Sequence, residues 1–241
     1  MVRKAILILI PVLLVYAILT IYNPAGLMIY FFSILCWSLA ALTILWICGA
    51  EKIREWFNKN VTTIALLVAV FQISALIFSG LFTSFGASPY AFTPTAIAIN
   101  IAYFLSPIIA MELSRAYLIK SCPRKRIFTG IALIALFFTF ISTPLIKFIT
   151  PKTLTETVKF LGSDLLPTFA QSILATYLAL LGGPTASIAY LGTIEAFEWL
   201  CPILPNPDWP IKALITTLIP AIGFTSASQT VSPFTLMRYG I

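Results

Sequence analysis

Leu27–Cys48 reads LMIYFFSILCWSLAALTILWIC, 22 residues without a charge. Coiled as an α-helix at 1.5 Å per residue, it is about 33 Å long. That matches the roughly 30 Å hydrocarbon core of a bilayer. A helix that is apolar all round must be covered on every side, by protein or by lipid. The neighbours offer little polar cover, because they have the same character. Six further stretches approach or reach membrane-crossing length: Ala5–Tyr22, Thr62–Phe85, Thr95–Ile119, Ile127–Ile149, the shorter Leu166–Leu181, and Lys212 to about Thr225. Across the whole chain 60% of residues are hydrophobic and 10% charged, against about 45–50% and 25% in soluble domains. A chain of 241 residues cannot hide that excess from water. The expected fold is all-α: a polytopic integral membrane protein with about seven transmembrane helices, plus short interfacial helices. No repeat of 20–50 residues and no linker divides it, so residues 1–241 are read as a single multi-span membrane domain.

The first span follows Arg3 and Lys4 and resembles a secretory leader. Its apolar run meets no small-residue cleavage site and passes into Asn23-Pro24, so it reads as a retained span. Basic residues recur in alternate connections. Lys52, Arg54 and Lys59 follow the second span, and Lys120, Arg124, Lys125 and Arg126 follow the fourth. The loops Asn23–Gly26 and Gly86–Pro94 carry no charge. The positive-inside rule then places the N-terminus in the cytoplasm of a cell (plasma) membrane. Seven crossings would put the C-terminus outside, and a re-entrant sixth segment would put it inside. The net charge of +7 sits in these short clusters. It suits an anionic lipid surface, and nucleic acid is not an expected partner.

Two stretches break the pattern. In Thr150–Asp164, Val158, Leu161 and Leu165 recur at helical spacing among charges, which predicts a short amphipathic helix at the interface. Thr153 and Glu156 have capping-box spacing for its start. In Tyr190–Lys212, YLGTIEAFEWLCPILPNPDWPIK, Glu195 and Glu198 lie three apart on one helix face. Cys201-Pro202 ends that helix, and Pro205, Pro207 and Pro210 delay the next until Ile211. Trp199 and Trp209 bracket the prolines as interface anchors do. The stretch reads as a stiff element lying on the membrane surface.

Few residues carry chemistry. Glu112 and Arg115 share a face of the fourth span. Ionisable groups inside a bilayer are costly, which makes them functional candidates. The plainer reading is a structural pair, with Arg115 snorkelling to the headgroups. Glu195, Glu198 and Asp208 are the other carboxylate candidates, with a solvated or interfacial face as their plainer reading. The chain has no histidine, so it holds no Ser-His-Asp triad. The lysines near spans, Lys120, Lys147 and Lys212, have no evident serine partner. Cys36, Cys48, Cys122 and Cys201 form no CxxC pair, and neither a metal site nor a cofactor is expected. Gly182-Gly183-Pro184 punctuates two helices and is no phosphate loop.

Three segments together resemble a known family: MELSRAYLI (Met111–Ile119), FLGSDLLPTFAQSILATYLALLGGPTASIAYLGTIEAFEWL (Phe160–Leu200) and CPILPNPDWPIKALITTLIPAIGF (Cys201–Phe224). They are similar to the membrane-spanning portion of archaeal type I signal peptidases. In that family the chemistry belongs to a β-rich domain outside the membrane, with a Ser-Met nucleophile and a histidine or lysine base. No Ser-Met pair occurs here, and no β pattern follows Phe224, so no catalytic residue carries over. The resemblance implies a platform for secretory precursors that needs a peptidase or translocation partner. The tail Thr225–Ile241 reads as a chain that stops soon after its last span. The reading from another class is a small-solute or ion transporter using Glu112, Arg115 and the proline-broken fourth, fifth and seventh spans.

Overall fold

The computed structural model describes residues 2–22, 26–49, 53, 54, 56–150 and 153–230. The Arg3 side chain, Lys52, Lys152 and the tail beyond Thr230 lie outside these. The structure is all-α apart from one short ribbon. Its elements are α1 (Val2–Tyr22), α2 (Met28–Cys48), α3 (Lys59–Phe82), β1 (Phe85–Ala87), α4 (Pro94–Lys120), α5 (Ile127–Ser142), the single turn α6 (Ile146–Ile149), α7 (Leu154–Phe160), α8 (Leu166–Gly182), α9 (Pro184–Leu200), β2 (Ile203–Pro205) and α10 (Trp209–Thr230). Seven helical stretches are long and apolar enough to cross a bilayer, and the protein is a multi-pass membrane protein.

The bundle is apolar on its outside and seals several polar groups within its apolar core. The surface of its helices shows Leu14, Trp46, Leu67, Phe71, Phe78, Leu133 and Leu136, each more than half exposed. Gln72, Ser114, Arg115, Thr176 and Ser187 are sealed within. In water this arrangement would expose the oil and strand the polar groups. In lipid it is favourable, because apolar chains are the solvent and polar groups bond to one another.

Contacts along the helices fix their directions. Lys120 Nζ donates to the Leu180 carbonyl at 2.9 Å and lies 5.4 Å over the Trp56 ring. The end of α4, the end of α8 and the start of α3 therefore share one end of the bundle, with Arg124, Lys125 and Arg126 beside it. At the opposite end β1 and β2 pair antiparallel, Phe85 against Pro205. The ribbon is extended by Ser88 N–H to the Pro202 carbonyl and Asn206 N–H to the Ser84 carbonyl, both 2.9 Å.

Helix α9 corrects the surface-lying reading of its stretch. It starts at the basic end, where Gly183 (φ +72°) turns the chain against the Trp56 backbone. It ends under the ribbon. Its 17 residues cover about 25 Å, packed against α3, α4 and α8. Its own oil is modest because its neighbours are protein. Trp209 meets Gly162 and Tyr177 meets Phe224, so α8 and α10 run in the same direction and α9 returns between them. With α9 traversing, α10 ends toward the basic end, not the ribbon end that seven crossings imply.

Other boundaries moved for local reasons. The capping box at Thr153 and Glu156 is present, yet α7 is no separate interfacial helix. A π-helical turn over Leu161–Leu165 joins it to α8, giving one helical stretch, Leu154–Gly182, of 29 residues. Helix α3 stops at Phe82, and Phe85 enters the ribbon. Helix α5 stops at Ser142 because Thr143, preceding Pro144, is held extended. Helix α10 begins at Trp209, since Pro210 is tolerated in a first turn.

Candidate functional site

The Glu112–Arg115 pair is built by three helices. On α4, Arg115 Nε lies 2.9 Å from Glu112 Oε1, which takes its hydrogen bond. Oε2 is equally near but accepts none. Arg115 Nη1 donates to α8, to the Ser172 carbonyl at 3.0 Å, Ser172 Oγ at 2.7 Å and Thr176 Oγ1 at 2.9 Å. The guanidinium lies 4.3 Å over the Phe138 ring of α5. Ser172 Oγ bridges onward to the Ala135 carbonyl at 2.9 Å. The small residues Ser172, Ala175, Thr176 and Ala179 let α8 come close enough for this. Glu112 is 1% exposed and Arg115 2%. Arg115 therefore turns inward and does not snorkel. The group clamps α4, α5 and α8 together.

The second polar centre lies toward the ribbon end. A cavity of about 560 Å³ opens between α1, α2, α4, α5 and α9, lined among others by Tyr16, Ser33, Trp37, Tyr103, Glu195 and Trp199. Glu195 accepts a hydrogen bond from Trp199 Nε1 at 3.1 Å. Tyr90 stacks on Trp199 with ring centroids 4.0 Å apart, and Tyr103 meets the indole at 5.2 Å. Trp199 is thus the hub of an aromatic cluster rather than a lipid-facing anchor. Glu198, one turn on, lines a different recess of about 140 Å³ with Tyr90 and Lys212. The two carboxylates serve separate cavities. Burial, and then Glu198 and Glu195, push the Tyr90 phenol above its usual range. Trp209 is 41% exposed at the head of α10. Asp208 is exposed, and its carbonyl accepts the Lys212 N–H at 3.0 Å.

Tyr16, Ser33, Trp37 and Tyr103 were not singled out from sequence. Tyr16 and Tyr103 lie in separate oily spans, and Ser33 and Trp37 share a face of α2; only the packing of α1, α2 and α4 brings the four to one cavity. A further buried pair was also missed: Tyr190 OH donates to Gln72 Oε1 at 2.9 Å, across 118 positions of chain.

No family model matches the chain, and no curated protein or solved structure matches it significantly.

Proposed function

We propose that the protein is a membrane platform of the signal-peptidase kind, acting in signal-peptide processing with a catalytic partner or domain. The observation that carries this reading is how the three resembling segments pack. The second half of α4, α8, α9 and α10 supply most of one continuous apolar core, including Ala116, Ile119, Leu174, Tyr177, Leu178, Tyr190 and Ile219. The two later segments thus pack into one unit, while Met111–Ile119 divides between it and a second cluster that holds α1 and α2, to which it gives Leu113 and Tyr117. With basic clusters on the cytoplasmic side of a cell membrane, the N-terminus is cytoplasmic and the ribbon end faces outward. A peptidase acting on exported chains would meet the molecule at that ribbon.

The alternative, a transporter coupled through Glu112 and Arg115, calls for access to the pair. Neither residue lines the 560 Å³ cavity, and the clasp is sealed by Ser172, Thr176 and Phe138. The test is deletion and co-purification. A peptidase or translocation component should co-purify, and precursors should accumulate uncleaved when the protein is removed. Unchanged cleavage with no such partner refutes the proposal.

A further inference from the structure

We propose that the cavity between α1, α2, α4, α5 and α9 binds a small organic cation, an amine or quaternary ammonium carried on an apolar body. Its volume of about 560 Å³ falls within the 300–1,000 Å³ typical of small-molecule sites. Among the described residues its one lining carboxyl group is Glu195, and no lysine or arginine lines it. The hydrogen bond from Trp199 uses only part of the carboxylate, which offers about four lone-pair sites when ionised. No ion pair among the described residues includes Glu195.

The rest of the wall has the same sign. Trp37, Tyr103 and Trp199 bring aromatic rings, whose faces attract cations, tryptophan most strongly. Tyr90 does not line the cavity, and it braces Trp199 by stacking on it. Pro107, also in the wall, has no N–H to give the Tyr103 carbonyl, leaving that acceptor free of its usual helical donor.

These features select a ligand class. An anion would meet a carboxylate and ring faces. A bare metal ion needs several oxygen ligands in a tight shell, and one carboxylate in so wide a space does not supply it. An ammonium head against Glu195, with apolar groups against the remaining wall, uses every feature.

The probe is benzyltrimethylammonium, with neopentylbenzene as its uncharged isostere. Binding to the purified full chain in lipid nanodiscs is followed by tryptophan fluorescence and calorimetry. The cation should bind saturably and the isostere at least tenfold more weakly. Glu195→Gln should weaken the cation at least tenfold and leave the isostere unchanged. Ser33→Leu, which fills the cavity and keeps the carboxylate, should weaken both. Asp208→Asn, an exposed carboxylate elsewhere, should change nothing. Thermal melts and size-exclusion profiles matching the unaltered protein show that the variants are folded. No saturable binding, equal binding of cation and isostere, or an unchanged cation affinity in folded Glu195→Gln or Ser33→Leu overturns the proposal. Signal-peptide cleavage plays no part in these readouts, so this site and the platform role fail separately.

Discussion

Arg115→Met removes the cation of the buried clasp and keeps most of its volume. Glu112, at 1% exposure, then loses its ionic partner. Ser172 and Thr176 lose little, because their hydroxyls still donate to the Ala135 and Ser172 carbonyls. The cost therefore falls mainly on the stranded carboxylate. Removing one partner of a buried pair costs about 3–5 kcal/mol. At roughly 3 °C per kcal/mol for a chain of this size, the melting temperature should fall by about 10–15 °C. Removing the second charge as well should return part of the loss, since an apolar pair of similar volume is often close to neutral. Glu112→Leu with Arg115→Met is thus expected to be about 1–3 kcal/mol more stable than Arg115→Met alone. The assay is reversible unfolding of the purified protein from mild micelles into SDS, run as a double-mutant cycle. A cost below about 1 kcal/mol for Arg115→Met, or a double variant as costly as the two singles summed, would refute the clasp.

Three further outcomes follow from local geometry. A Cβ on Gly223 would lie 2.6 Å from Val68 Cγ1 and 3.0 Å from Leu174 Cδ2. Gly223→Leu should therefore cost about 1–3 kcal/mol by forcing α10 off α3 and α8. Gly192→Ala meets nothing nearer than 3.9 Å and should be neutral or stabilising by about 0.5–1 kcal/mol; the same unfolding assay reads both. Thr153→Ala breaks the capping box and should cost about 1 kcal/mol, visible as faster amide exchange confined to Leu154–Phe160.

The apolar helices were legible because lipid demands a simple thing of a sequence. Leu27–Cys48 was expected and Met28–Cys48 is found; Thr95–Ile119 was expected and Pro94–Lys120 is found. The ends of α9 were legible, but its crossing of the bundle was not. Its Glu195 and Glu198 look unlike a span, because they face cavities within the protein. Hydropathy reports what surrounds a helix, and α9 is surrounded by α3, α4 and α8. The Glu112–Arg115 pairing was legible from three-residue spacing. Its direction was not, because Ser172 and Thr176 approach from 57 and 61 positions away. The ribbon escaped for the same reason, as Phe85 and Pro205 are distant in sequence.

The topology rests most heavily on α9 running from the basic end to the ribbon. Thr185 and Asn206 are both exposed and lie at its two ends. In a background with Cys36, Cys48, Cys122 and Cys201 replaced by alanine, single cysteines at these positions can be labelled with a membrane-impermeant maleimide on intact cells. Asn206→Cys should label from outside, while Thr185→Cys should label only after permeabilisation, as Lys125→Cys does. Labelling of Thr185→Cys and Asn206→Cys from the same side would contradict the traversing helix and return α9 to the membrane surface.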